Sequence, residues 1–136
     1  MTKPGDILYH KQFRFYDGSV KEKLFIILCS GDEEAPCLAL MVTSQNARYE
    51  HAVHGCNPRL KVFYIPIIMG EWFEEPTYVS LPYRYPIPID EIREGIASRI
   101  IEIPSQISSR CLSEIKNCLK RNFIRDLSVP EMKRIF

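Results

Sequence analysis

Residues 23–43 contain two apolar runs, KLFIILC (23–29) and CLALMVT (37–43), separated by the polar stretch SGDEEAP. Both runs are too short for a helix with these flanks and are rich in the side chains that favour strands. They predict two buried β-strands joined as a hairpin. A shorter strand is predicted at residues 6–9, and Asp17-Gly18-Ser19 gives the turn signal between it and the hairpin.

The remaining strands are weaker predictions. Residues 61–68 read KVFYIPII, and the proline in this run places the strand at an edge or a bulge. Residues 77–81 alternate cleanly, and 96–103 form a final strand region that we expect Pro104 to end. Three prolines at 82, 86 and 88 predict an extended segment without regular structure.

The helix predictions come from capping and periodicity. Ser108 is a good N-cap, and Ile107 can pack on Leu112 to fix the entry of the chain. Apolar residues then recur at spacings of three and four, which makes one amphipathic stripe. A second helix start is predicted at Ser128, which precedes Val-Pro-Glu.

The chain length of 136 residues fits one domain with a single core. The predicted architecture is mainly β with α: a small barrel closed by a C-terminal amphipathic helix. The domain spans 1–136, with the barrel and helix at about 4–122 and a tail at 123–136. The formal net charge of +1 excludes a strongly basic molecule, although a local patch could still bind RNA.

Cysteine usage predicts the compartment. The chain has five cysteines at irregular spacing, which argues against a disulfide framework and favours reduced, packed thiols, Cys111 and Cys118 among them. We therefore expect a cytoplasmic protein. No apolar run approaches the roughly 18 residues that a membrane helix needs, so no membrane partner is expected.

A mixed-charge cluster near the first turn is the strongest candidate site. Its members are cations, carboxylates and hydroxyls at the turn or at the end of the strand after next: Arg14, Asp17, Ser19, Glu22, Lys23, Thr43 and Ser44. Metal-free RNA cleavage needs proton transfer and an anion-stabilising group, and these residue types supply both. The alternative interpretation is an exposed charged hairpin.

We assign hypothetical roles within this cluster. Lys23 and Arg14 would stabilise the phosphorane, and Asp17 or Glu22 would act as the base. Thr43 and Ser44 would hold the scissile phosphate. Ser19 and Glu22 are further candidates for substrate binding.

Other chemistry has less support in the sequence. His51, His54 and Cys56 form an HxxHxC cluster that could bind zinc, but no second Cys/His pair lies nearby, and a polar loop with a buried cysteine is the simpler interpretation. No Gly-rich phosphate loop is present, so no nucleotide cofactor is expected.

The order of motifs resembles the PemK/MazF family of toxins. The matching stretches run from PGDIL (4–8) through DGS (17–19), KLFIILCS (23–30), VTS (42–44) and TYVSL (77–81) to the helix at 107–119. The resemblance implies an SH3-like barrel, a homodimer and metal-independent endoribonuclease action on single-stranded RNA. It also implies a small acidic antitoxin partner. Family members carry Arg-Pro at the entry to the second strand, where this chain has Lys23-Leu24.

A non-catalytic module is the alternative function. A barrel of this kind would bind a protein or a nucleic acid through its aromatic residues. The candidates are Tyr64, Trp72, Phe73, Tyr78, Tyr83 and Tyr85.

Overall fold

The computed structural model describes residues 2–44 and 46–136. Within these residues the chain forms a mainly β domain with helices. The strands are β1 (Asp6–Arg14), β2 (Val20–Cys29), β3 (Cys37–Thr43), β4 (Gly55–Asn57), β5 (Val62–Ile65), β6 (Thr77–Ser80), β7 (Tyr85–Ile87) and β8 (Ile101–Gln106). The α-helices are α1 (Ile89–Ala97), α2 (Ser109–Asn122) and α3 (Val129–Ile135), and short 3₁₀ helices lie at Asn46–Tyr49, Ile67–Met69 and Ile124–Asp126.

The strands form one antiparallel sheet. Its order is β4-β5-β6-β3-β2-β1-β8, with β7 paired to β3 beside this path. The predicted hairpin of β2 and β3 is confirmed and lies at the centre of the sheet. Among the described residues the hydrogen-bonded path has two ends, β4 and β8, so the strand ladder is not a closed ring.

The first face of the sheet packs against α2 and α3. Ile26 and Leu40 alternate inward on the central strands, and Ile115 and Leu119 of α2 meet them in the larger core. Burial of these apolar side chains is the main stabilising term of the domain. The predicted amphipathic helix is therefore confirmed, including its N-cap, because the Ser108 side chain accepts a hydrogen bond from the Cys111 N–H.

The second face packs against α1. Phe25 and Ile27 occupy the alternate positions of β2 and contact Ile92 of α1 in a smaller core. Gly95 allows the close approach of α1 to β8, since a Cβ there would lie 2.5 Å from Ile101 Cδ1. Both faces of the central strands are thus covered, which explains their nearly continuous apolar sequence.

Two predictions in this part of the chain were wrong. The strand predicted at 96–103 begins only at Ile101, as β8, and residues 89–97 form α1, which was not predicted. Ile89 and Ile92 recur at helical spacing, and Asp90 and Glu91 favour the first helical turn. Pro104 lies inside β8 and does not end it. In the described residues β8 pairs only with β1, and an edge strand tolerates a residue without an N–H.

Other local predictions had mixed outcomes. The segment with Pro86 is partly ordered as β7, which hydrogen-bonds to β3 as a short edge strand. Strand β5 stops at Ile65, directly before Pro66. The helix predicted at Ser128 is confirmed as α3, whose N-terminus has a complete capping box between Ser128 and Glu131.

Candidate functional site

A cleft of about 680 Å³ lies where β3 ends and the chain leaves the sheet. Residues from β1, β2, the end of β3 and the residue after it, the loop before β6 and the first position of β6 line it. They are Tyr9, Glu22, Lys23, Leu24, Val42, Thr43, Ser44, Trp72, Phe73, Glu74, Glu75 and Thr77. At this edge of the sheet β2 begins at Val20, whereas the neighbouring β3 ends at Thr43, opposite Lys23. The cleft lies where β2 has no pairing with β3.

The structure brings four of the seven predicted site residues to this cleft. Glu22 and Lys23 reach it from β2, and Thr43 and Ser44 reach it from the end of β3. The other three, Arg14, Asp17 and Ser19, lie at the turn between β1 and β2 and do not line the cleft.

Asp17 and Ser19 are engaged with each other. The Asp17 Oδ1 atom accepts hydrogen bonds from the Ser19 N–H at 2.9 Å and from the Ser19 hydroxyl at 2.6 Å. These bonds lower the pKa of Asp17. Asp17 therefore stabilises the turn as the first residue of an Asx turn. The lowered pKa also makes its carboxylate a weaker base.

Glu22 has a partner on the neighbouring strand. The Tyr9 hydroxyl donates a 2.5 Å hydrogen bond to Glu22 Oε2, and this bond raises the pKa of Tyr9. The pair fixes one carboxylate oxygen at the wall of the cleft. Tyr9 was not predicted from the sequence, because DILY indicates only a short strand.

Lys23 lies on the second face of the sheet, on the same side of β2 as Lys21 and Phe25. Partial burial, followed by the charge of Lys21, lowers the pKa of the Lys23 ammonium. Desolvation lowers the pKa of a cationic group because the charged form loses hydration. An incompletely hydrated ammonium is available to bind an anion.

Lys23 belongs to a row of residues that crosses four neighbouring strands. Tyr64 pairs with Tyr78, and Tyr78 pairs with Thr43. Leu24 pairs with Val42, so the next positions along β2 and β3 place Lys23 opposite Thr43. We call Tyr64, Tyr78, Thr43 and Lys23 the cross-strand row.

The tyrosines of this row form a stack with a third ring. Tyr64 and Tyr78 are parallel within 10°, with centroids 4.8 Å apart, and Tyr49 covers Tyr78 at 4.9 Å. Burial and the neighbouring Tyr64 raise the pKa of Tyr78. The Arg48 guanidinium lies 6.0 Å from the centroid of the Tyr49 ring. Tyr49 and Tyr64 are half-buried and form the two ends of the stack.

The opposite end of the row meets α1. Lys23 pairs with His10 on β1, and His10 Nε2 lies 3.4 Å from Glu91 Oε1. His10 Nδ1 accepts a hydrogen bond from the Gln12 N–H at 3.2 Å, so both ring nitrogens have partners. His10 is therefore a structural residue at the point where α1 covers the sheet.

The cleft and the cross-strand row differ in charge. Three carboxylates line the cleft, from Glu22, Glu74 and Glu75, and Lys23 is the basic residue among its lining residues. The cross-strand row has Lys23, with Lys21 two positions away on the same side of β2, and Arg48 beside its tyrosine stack. Carboxylates therefore outnumber cations around the cleft, whereas the charged side chains of and beside the row are cations.

The cysteine prediction was wrong for one pair. Cys56 of β4 and Cys118 of α2 form a disulfide, which uses the thiol of the HxxHxC cluster. Within residues 2–44 and 46–136 no group of three His, Cys, Asp or Glu side chains is placed to hold a metal ion. The other three cysteines are free and buried, and burial raises the pKa of Cys37 and Cys111 to about 12. Such thiols are poor nucleophiles.

The chain matches no protein-family model, no curated protein and no solved structure in comparisons with known proteins. In the part of the chain that the structure describes, none of the helices has the length and apolar character needed to span a bilayer.

Proposed function

We propose that the protein is a single-stranded RNA-binding domain that uses the cross-strand row. The observation that carries this proposal is the alignment of stacked tyrosines with Thr43 and Lys23 on one face of four adjacent strands. Aromatic rings stack on bases of any sequence, and lysine or arginine side chains pair with the backbone phosphates. The row supplies both groups in a line.

The dimensions of the row suit a short stretch of RNA. Adjacent strands are about 4.8 Å apart, so the four strands from β5 to β2 span about 14 Å. Thr43 lies between the tyrosine stack and the lysine, so the row is continuous across the four strands. We expect a base at the exposed end of the stack and a phosphate at Lys23.

A binding measurement with ring-preserving and ring-removing variants tests this proposal. Fluorescence anisotropy of a labelled 12-nucleotide uridine RNA, in EDTA, gives the dissociation constant. We expect Tyr64→Leu to weaken binding about 5- to 100-fold because one stacked base is lost, whereas Tyr64→Phe keeps most of the affinity. Equal losses for the two variants would contradict a stacking role.

A charge-matched pair tests the lysine. Lys23→Gln should weaken binding and reduce the salt dependence of log K by about 0.7, which corresponds to one phosphate on a single strand. Lys133→Gln removes the same charge from an exposed position of α3, a helix that packs on the first face of the sheet, and should change neither quantity. Similar effects of both variants would indicate nonspecific attraction.

A second candidate is metal-independent endoribonuclease activity at the cleft. It is favoured by the convergence of Glu22, Lys23, Thr43 and Ser44 on one cavity, with Tyr9 bonded to Glu22. Glu22 would take the proton of the RNA 2′-hydroxyl as that oxygen attacks the adjacent phosphate, and Lys23 would stabilise the phosphorane. The bond from phosphorus to the 5′-oxygen then breaks, and this oxygen takes a proton from solvent water, which leaves a 2′,3′-cyclic phosphate and a 5′-hydroxyl.

Incubation of a long mixed-sequence RNA with excess protein in EDTA tests the activity. We expect products ending in cyclic phosphate, and a rate at least about 100-fold lower for Glu22→Gln. Asp17→Asn is the control, since its site lies outside the cleft and should not affect the rate. Intact RNA would remove the nuclease candidate and leave the binding proposal standing.

We also propose how the sheet closes. We infer an SH3-like barrel in which α2 covers the gap between the two ends of the strand path. The Ile107 N–H, just before α2, donates to the Gly5 carbonyl, and the Cys56–Cys118 disulfide joins α2 to β4. A PemK/MazF-like assignment would add a homodimer, a small acidic partner and a cytoplasmic location, and light scattering tests the dimer.

A further inference from the structure

The cleft beside the cross-strand row has an apolar interior. Leu24 and Val42 contribute from the sheet, and the buried Phe73 packs edge-to-face on Trp72 with ring centroids 5.6 Å apart. Trp72 lies at the cleft with 43% of its surface exposed. A large aromatic side chain this exposed in a concave surface is typical of a binding anchor.

Carboxylates near Trp72 lie both inside and beside the cleft. Glu71, just outside it, is used by the fold: its two oxygens accept hydrogen bonds from the Ser108 N–H at 2.8 Å and from the Ser108 hydroxyl at 2.7 Å. Glu74 and Glu75, three and four residues later, are exposed and lie in none of the ion pairs formed among residues 2–44 and 46–136. Both carboxylates therefore face solvent at the cleft.

We propose that this cleft binds an extended, basic segment of a partner protein. One lysine or arginine side chain of the partner lies over the exposed face of Trp72, and its charge pairs with Glu74 and Glu75. The aliphatic part of the same side chain packs on Leu24 and Val42, as long basic side chains do on apolar surfaces.

Charge complementarity favours a basic segment over an acidic or a wholly apolar one. An acidic segment would meet three carboxylates in the cleft, which outnumber its one basic lining residue, Lys23. A wholly apolar segment would leave Glu74 and Glu75 without counter-charges. The inference goes beyond the RNA-binding proposal, because it uses the Trp72 side of the cleft and a ligand of opposite charge, although Lys23 and Thr43 border both surfaces.

Titration with a defined peptide tests the proposal. The probe is a fluorescein-labelled nine-residue peptide with alternating lysine, arginine and alanine, measured by anisotropy at 150 mM salt with the full chain. We expect saturable one-to-one binding. Trp72→Ala should weaken it at least 10-fold, and the double variant Glu74→Gln/Glu75→Gln should weaken it about 10-fold.

Three controls keep the result interpretable. The double variant Glu34→Gln/Glu94→Gln removes the same charge from exposed positions elsewhere and should bind the peptide normally. Trp72→Phe keeps an aromatic face and should recover most of the affinity lost in Trp72→Ala if that variant is folded by circular dichroism. A peptide with glutamate at every basic position should not bind.

The contradicting outcomes are distinct from failure of RNA binding. Equal weakening by the Glu34/Glu94 variant would show nonspecific attraction and overturn the proposal. Displacement of the peptide by spermidine at equal charge concentration would assign the cleft to free polyamines instead. The Tyr64→Leu variant should retain the peptide affinity, and its loss there would show that the two surfaces are not separate.

Discussion

The two faces of β2 and β3 come from alternate residues of the same strands, yet their side chains are buried to different extents. On the first face Ile26 and Leu40 are fully buried under α2. On the second face Phe25 is buried, but Lys23 and Thr43, toward the end of the hairpin, are only half-buried. The comparison shows that the covering helices, and not the strands themselves, decide where the sheet can bind a ligand.

Helix length explains the difference. α2 has 14 residues and reaches from the end of β8 to β4, to which the disulfide joins it. α1 has nine residues and lies beside one end of the cross-strand row, where Glu91 contacts His10, the residue that pairs with Lys23. Lys23, Thr43 and Tyr64 of the row remain half-buried, whereas Tyr78 is buried between the rings of Tyr49 and Tyr64.

The largest effect should come from the covered face. Ile26→Ala removes a side chain with 0% exposure from the larger core, and we expect it to lower the free energy of unfolding by about 3 kcal/mol through lost burial and the resulting cavity. Urea denaturation measures this. Met41→Ala on the second face, where the side chain is half-buried, is the matched comparison and should cost less. An equal loss in the free energy of unfolding would show that the two faces are buried to the same extent.

An intermediate effect should come from the contact that holds α3. Arg84 donates to both Glu131 oxygens, at 2.8 and 3.2 Å, and to the carbonyls of Pro82 and Asp126. Arg84→Met should lower the free energy of unfolding by about 2 kcal/mol, because the partly buried carboxylate loses its charged donors. Urea denaturation at pH 7 measures the loss.

The same contact predicts a pH dependence. The Arg84 hydrogen bonds lower the pKa of Glu131 from 4.5 to about 2. A lowered folded-state pKa stabilises the protein above the unfolded pKa, and this stabilisation is lost as the pH falls from about 4.5 to about 2. The wild type should lose more stability over this interval than Arg84→Met. Parallel curves for the two proteins would contradict the assignment.

The smallest effect should come from the cross-strand row. Lys23→Met removes a cation whose charged form is disfavoured by partial burial, so the free energy of unfolding should be unchanged or raised by up to about 0.5 kcal/mol. Thermal unfolding measures this, with RNA binding measured in parallel. A clear loss of stability would indicate that Lys23 serves the fold and not a ligand.

The sequence predicted the centre of the fold well. Both hairpin strands and α2 were predicted because their apolar patterns and caps agree with the tertiary packing. α1 was missed because it has only nine residues and follows three closely spaced prolines. The disulfide was missed because Cys56 and Cys118 are 62 positions apart, and only the packing of α2 on β4 brings them together.

The candidate site was predictable only in part. The end of β3 and the start of β2 were placed together by the predicted hairpin, which brought Lys23 and Thr43 into register. The turn residues Arg14 and Asp17 are close in sequence to Lys23, but the extra length of β1 and β2 carries them beyond the cleft. Tyr49 and Arg48 could not be predicted, because they lie in an irregular segment whose position is set by stacking on Tyr78.

Mapping of RNA on the folded protein tests the central claim most directly. Backbone amide NMR spectra recorded during titration with the uridine 12-mer report which strands meet the ligand. The account predicts shifts at Lys23, Thr43, Tyr64 and Tyr49, with α2 and α3 unchanged. Chemical-shift changes in α2 or α3, with no change in the cross-strand row, would contradict RNA binding by the row.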